Sequence, residues 1–261
     1  MKIGVRIFLG LALTLILPLL SAVAVAADLP ALIESVRNSV VGIGTAMPPR
    51  PSSSVIAVTR FSGTGFVVGD GRQIITNYHV IPQDLNIERK ETLAIFTGRG
   101  KTAKVRSAKI VATDPTHDLV LLRVEGSPLP AMTLSNGEYV MEGVGVAFTG
   151  FPIGVVLGLY PVTHRGIVSA ITPIVIPAMS SKTLSAQQIK SMRNPFDVYQ
   201  LDATAYPGNS GSAVYELETG KVIGVLNSVF VKGTKESALE SPSGISYAIP
   251  VKYVNQLMNR R

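Results

Sequence analysis

The chain has 261 residues, 46% of them hydrophobic and 16% charged, enough apolar side chain to build a sizeable core and to exclude intrinsic disorder. Its formal charge of +7 is scattered apart from Arg260-Arg261 and a loose set at Lys101, Lys104, Arg106 and Lys109. With no zinc-finger spacing, helix-turn-helix pattern or basic–aromatic stripe, nucleic acid is not an expected partner. The absence of cysteine excludes disulfides, thiol nucleophiles and cysteine-based metal centres.

In chain order, Lys2 and Arg6 precede an apolar run from Ile7 to Leu20, and Ala24-Val25-Ala26 supplies the small-x-small pattern of a secretory cleavage site. The pattern predicts a signal peptide over residues 1–26 and one exported unit over 27–261. An uncleaved anchor is the alternative, since Ile7 to Ala26 is long enough to span a bilayer. Pro18 and the small residues after it favour cleavage, and with cleavage no stable membrane span is expected. An exported chain without disulfides must be held by its core alone, which fits a bacterial periplasmic or secreted protein.

Asp28 to Arg37 reads as a short helix with Asp28 as its cap, Pro30 in its first turn, and Leu29, Leu32, Ile33 and Val36 on one face. The period then becomes that of strands: Val40–Ile43, Phe61–Val68, Gln73–Thr76, Leu93–Phe96, Ala103–Ala112 and Leu119–Val124. Val144–Phe148, Gly166–Ile171, Val198–Leu201, Ala213–Leu217, Val222–Val229 and Ile245–Ile249 continue the series. Gly69-Asp70-Gly71 is a hairpin signal. Met47–Ser54 reads as a loop, Ser180–Asn194 as a polar stretch with a short helix, and Val251–Asn259 as a closing helix with Pro250 at its start. About a dozen short strands at near-regular spacing imply an all-β sandwich or barrels in one compact unit.

The chemistry-bearing residues lie in three separated stretches. His79 follows an apolar strand in Thr76-Asn77-Tyr78-His79-Val80, Asp118 opens Asp118-Leu119-Val120-Leu121-Leu122, and Ser210 sits in Pro207-Gly208-Asn209-Ser210-Gly211-Ser212. A hydroxyl needs a base to become a nucleophile at neutral pH, imidazole is suited to that task, and a carboxylate on its far nitrogen fixes the tautomer. Gly208 allows a turn that aims backbone N–H groups at a developing oxyanion, one such donor being worth about 2.7–4 kcal/mol of barrier. The order His–Asp–Ser excludes the subtilisin and α/β-hydrolase orders, and Ser212 breaks the Gly-x-Ser-x-Gly elbow. His117 is expected on the surface and His164 on a strand edge or loop, neither with a catalytic role. Gly63-Thr64-Gly65 lacks a dinucleotide-loop setting and is read as a close strand passage near the cleft.

With Ser62-Gly63-Thr64-Gly65-Phe66, these motifs resemble the trypsin-like serine peptidases of the chymotrypsin clan, and are most similar to the bacterial HtrA (Deg) and glutamyl-endopeptidase types. The resemblance runs from about Asp28 to Asn255. It implies two six-stranded antiparallel β-barrels with a short N-terminal and a C-terminal helix, and a cleft between the barrels. By motif position it implies His79 as base, Asp118 as its orienting acid, Ser210 as nucleophile, and an oxyanion hole in the Gly208, Asn209 and Ser210 loop. No cofactor or metal is implied, and proteins or peptides are the expected substrates. Gly211-Ser212-Ala213 departs from the Gly-Gly-Pro usual in HtrA enzymes, and no PDZ domain is expected after the last helix. Monomer and trimer both stay open. Thr204 falls at the base of the specificity pocket, where a neutral residue disfavours Lys or Arg. Leu226 replaces the histidine that glutamyl types tend to carry, so a small or medium apolar residue is the expected preference. The rival expectation is a catalytically silent binding or chaperone-like module on the same fold.

Overall fold

The computed structural model describes residues 28–48, 57–152, 159–174, 195–227 and 244–260. The expected leader over 1–26, most of the loop ending at Ser54, the polar stretch Ser180–Asn194 and the end of the Val222–Val229 run lie outside the described residues.

The chain opens with helix α1 (Leu29–Arg37), whose Leu29 and Leu32 pack on the core and whose Val36 is buried. The Asp28 side chain does not cap it, contrary to expectation. Instead the Asp28 carbonyl accepts the Leu32 amide at 2.9 Å, and Pro30 occupies a first-turn position where no amide is needed.

Six strands then close the first barrel: β1 (Val40–Met47), β2 (Ala57–Val68), β3 (Gln73–Asn77), β4 (Thr92–Thr97), β5 (Lys104–Asp114) and β6 (Leu119–Val124), in the order β1-β2-β3-β6-β5-β4. Six more close the second: β7 (Gly145–Gly150), β8 (Val162–Pro173), β9 (Asp197–Asp202), β10 (Ala213–Glu216), β11 (Val222–Asn227) and β12 (Ile245–Pro250), in the order β10-β11-β12-β9-β8-β7. All neighbours are antiparallel. Helix α2 (Val251–Asn259) follows β12 directly, with Pro250 at its N-cap.

Side-chain alternation explains why several strands read as unbroken apolar runs. On β6, Val120, Leu122 and Val124 fill the first barrel while Leu119 and Leu121 face the second, so both faces are dry as far as the exposed Arg123. Phe66, Val68 and Ile75 from the first barrel meet Ala147, Ala213, Tyr215, Val225 and Ile249 from the second, and Tyr253, Val254 and Leu257 of α2 join them. Each fully buried Leu, Ile or Phe contributes about 1.5–3 kcal/mol, so this seam holds the cleft's two walls together. A third cluster, including Val146, Phe148, Leu201 and Leu226, fills the second barrel.

The sequence reading ended β1 early because Gly44 and Thr45 lack a strand pattern. The strand continues because β2 and β4 both pair with it, through two register shifts against β2. Gly44 is required there: a Cβ on it would meet the Arg60 carbonyl oxygen at 2.0 Å. β8 likewise extends back through Thr163, His164 and Arg165, whose polar character hid a six-residue pairing with β7.

Candidate active site

His79 lies in a single 3-10 turn (Tyr78–Val80) that ends β3. Asp118 closes a turn between β5 and β6, and the two meet side by side. His79 Nδ1–H donates to Asp118 Oδ2 at 2.6 Å and the His79 amide donates to Asp118 Oδ1 at 2.9 Å. This pairing puts the imidazole proton on Nδ1 and leaves Nε2 as the basic nitrogen. The Asp118 carbonyl is held as well, accepting from Tyr78 N at 3.0 Å and Asn77 Nδ2 at 3.1 Å. Asp118 has φ +53°, a left-handed conformation that aspartate adopts more readily than most residues but that still needs surrounding contacts to persist.

Asn227, at the end of β11, adds a contact that sequence reasoning missed: its Nδ2 donates to Asp118 Oδ2 at 2.8 Å. The only available signal was a polar residue closing the otherwise apolar run Val222–Leu226. Through it the second barrel reaches across to the first barrel's carboxylate.

Ser210 sits in the turn between β9 and β10 and is 5% exposed. Gly208 and Gly211 on either side have φ of +100° and +87°. At Gly211 a side chain is excluded: its Cβ would fall 2.0 Å from the Thr64 carbonyl oxygen. Thr64, on β2, pins this turn. Its amide donates to the Ser210 carbonyl at 2.9 Å, and its Oγ1 donates to the Gly208 carbonyl at 2.7 Å while accepting from Phe151 N at 3.0 Å. The close passage expected at Gly63-Thr64-Gly65 is thus present. A Cβ on Gly63 would lie 2.8 Å from Val80, the neighbour of His79, and 3.0 Å from the Ser210 carbonyl oxygen. The histidine turn and the serine turn therefore flank the same glycine.

Asn209 is fully buried, with its amide donating to the Tyr206 carbonyl at 3.0 Å and both side-chain polar atoms unpartnered. Leu226 is fully buried in the second barrel's core, and its backbone rather than its side chain grips the serine turn: Gly211 N donates to its carbonyl and its amide donates to Ser212 O, each at 2.9 Å. Thr204 is half-buried on the segment that follows β9. Among the described residues no group of three or more His, Asp or Glu side chains converges as a metal site would.

The other two histidines differ from expectation. His117 is not a surface strand residue. It lies in the turn before Asp118 with its side chain 17% exposed, bonded through Nδ1 to Asp114 Oδ2 at 2.8 Å and stacked on Tyr253 at 3.8 Å. His164 is not at an edge, because the barrel has none. It lies within β8, paired with Phe148 and stacked on that ring at 5.0 Å, with Nε2 buried and unpartnered. Burial lowers its pKa below the usual 6.5.

Two closed six-stranded antiparallel barrels packed across a seam define a chymotrypsin-like fold. A family model described as "Trypsin-like peptidase domain" matches residues 63–225, and the chain belongs to that family. It is 30% identical over 213 residues to a "Probable periplasmic serine endoprotease DegP-like" of Halomonas elongata, covering 80% of this chain and 37% of that protein. It is also 30% identical over 205 residues to "Serine protease HTRA2, mitochondrial" of Drosophila pseudoobscura pseudoobscura, covering 78% of this chain and 40% of that one. The chain thus spans well under half the length of these curated relatives. Among solved structures it resembles one titled "Crystal structure of Deg5", with TM-score 0.58 and 25% identity over 87% of this chain and 90% of that one.

Proposed function

We propose that this chain is a serine endopeptidase that cleaves proteins through an acyl-enzyme, with Ser210 as nucleophile, His79 as general base and Asp118 as the acid that orients it. The observation that carries the reading is the double contact of His79 with Asp118, side chain and backbone, beside a serine turn pinned from the facing barrel. In the proposed reaction His79 Nε2 takes the proton from Ser210 Oγ as the oxygen attacks the substrate carbonyl carbon. The resulting oxyanion is met by the Gly208 and Ser210 amides, in the loop that includes Asn209. His79 then returns the proton to the leaving amine, and the acyl group stays on Ser210. Water, deprotonated by the same nitrogen, releases it and regenerates the hydroxyl.

An apolar Leu226 behind the serine turn and a neutral Thr204 support a preference for small or medium apolar side chains at the cleaved position. The names of the DegP-like relatives support a periplasmic location; removal of residues 1–26 and a role in envelope protein quality control complete the proposal. Among the described residues no helix is long and apolar enough to cross a membrane.

The test is Ser210→Ala. Turnover of denatured casein is expected to fall by at least about a thousand-fold with the fold retained. A serine-reactive phosphonate is expected to label the wild type at residue 210 and spare the variant. Undiminished hydrolysis by Ser210→Ala would overturn the assignment. Wild-type protein that neither turns over casein nor takes the label would support the silent binding module instead.

A further inference from the structure

The turn that presents Asp118 is gripped from behind by a second imidazole–carboxylate pair. Asp114, the last residue of β5, is 3% exposed and accepts three hydrogen bonds. His117 N reaches its Oδ1 at 3.2 Å, while His117 Nδ1 and Arg260 Nη2 both reach Oδ2 at 2.8 Å. The His117 ring lies nearly parallel to Tyr253 of α2, at 3.8 Å and 17°, and takes the Phe196 ring edge-on at 4.7 Å. Backbone, ring nitrogen and ring face of His117 are all engaged, directly with Tyr253 of α2 and, through the shared Asp114 carboxylate, with Arg260, the residue that follows α2.

The neighbouring residue needs such a grip. Asp118 sits in the left-handed region, where a non-glycine residue persists only if its surroundings enforce it. On the far side of the His117–Asp118 peptide, β3 and the histidine turn hold the Asp118 carbonyl and carboxylate. On the near side the Asp118 amide makes one long bond, 3.4 Å to the Pro115 carbonyl. Among the described residues, His117 adds a further restraint on that side.

We infer that His117 is a positioning residue, through which α2 and Asp114 hold Asp118 in register with His79. This rests on the assignment of Asp118 made above. The two histidines divide the work: His79 faces the cleft and moves protons, while His117 is locked in an aromatic slot and moves none. Effects on such a residue fall on kcat, because a carboxylate displaced by a fraction of an ångström still permits substrate to bind.

The test uses the full chain, with a fluorogenic peptide carrying Val at the cleaved position and each protein assayed well below its own Tm. His117→Ala is expected to lower kcat ten-fold or more while KM stays within about two-fold. His117→Asn, which restores a donor toward Asp114 without the ring, is expected to recover a large part of that loss. Arg260→Gln, at a half-exposed residue, is expected to lower kcat two- to five-fold, and it decides the matter if His117→Ala does not fold. A His117→Ala protein with reduced Tm but wild-type kcat would overturn the inference and leave His117 a stability residue only. Failure here is distinguishable from failure of the protease reading: an inactive, unlabelled wild type overturns both, whereas an active wild type with indifferent His117 and Arg260 variants overturns this inference alone.

Discussion

Asn227 donates its side-chain amide to Asp118 across 109 positions of chain, at 2.8 Å, to the same carboxylate oxygen that accepts the His79 Nδ1–H hydrogen bond. One lone-pair region of Oδ2 is thereby occupied from the second barrel and the other from the first. The carboxylate can rotate about its Cβ–Cγ bond only by breaking these two bonds and the one from the His79 amide to Oδ1.

Asn227→Leu is therefore expected to reduce kcat/KM about ten-fold or more under the proposed mechanism, with the loss in kcat. Asn227→Asp is expected to be worse, because two carboxylates at hydrogen-bond distance repel and one must take up a proton. Steady-state kinetics on the Val peptide across pH 6–9 checks both, and the Asp variant alone is expected to regain activity as pH falls.

Thr64 makes a second cross-barrel prediction. Its hydroxyl serves two main-chain groups at once, the Gly208 carbonyl and the Phe151 amide. Thr64→Val is close to isosteric and strands both groups in a buried setting, at about 1–3 kcal/mol for each. Denaturant unfolding is expected to show a loss of that order with an unchanged m-value. Activity is expected to fall further than stability explains, because the Gly208 carbonyl belongs to the peptide that carries the Asn209 amide. Thr64→Ser keeps the hydroxyl and is expected to behave nearly as wild type in both assays.

What could be read from the sequence follows from where each interaction is encoded. The strands of both barrels were legible because period-2 burial is written locally, and β6 stood out because its first four residues are buried on both faces. His79, Asp118 and Ser210 were legible because each sits in a short stretch whose neighbours fix its conformation: Asn77 beside His79, the apolar run after Asp118, Gly208 and Gly211 around Ser210. Asn227 was not, because its contact exists only once β11 has closed against β10 and β12. His117 was misread for a related reason. Its slot is built by Tyr253 and Phe196, which are 79 or more positions away and carry no mark of facing a histidine.

Asp114 gives a pH prediction. Burial alone would raise its pKa, but the hydrogen bond and charge of His117, its amide and the Arg260 guanidinium outweigh that and hold it below the ordinary 3.8. A carboxyl with a depressed folded-state pKa stabilises the fold above its unfolded value and loses that contribution as pH falls through the folded one. Asp114→Asn is expected to lower Tm at pH 5–7. The gap from wild type is expected to narrow below about pH 3.8, as the wild-type carboxyl protonates. Thermal melts from pH 7 to pH 2.5 check this, and a gap constant over that range would contradict it.

His164 yields linkage of the same sign on a different limb of the pH range. Its ring is wedged in β8 against Phe148, 5.7 Å from the Tyr206 ring, with Nε2 buried and lacking a partner, and burial pushes its pKa below 6.5. Because the unfolded chain binds the proton more readily than the fold does, stability is complete above pH 6.5 and declines as pH drops below it. His164→Phe keeps a flat ring against Phe148 and replaces an unsatisfied nitrogen with carbon, a change that costs little at neutral pH. The variant is expected to match or slightly exceed the wild-type Tm at pH 8 and to exceed it clearly at pH 5, where the wild type bears the penalty of a charged or mismatched imidazole. Since Tyr206 supplies the carbonyl that holds the Asn209 amide, the same variant is also expected to retain more of its activity at pH 5.5 than the wild type does. Melting curves and peptide turnover at the two pH values decide it, and equal pH dependence in the two proteins would mean that His164 does not titrate against folding.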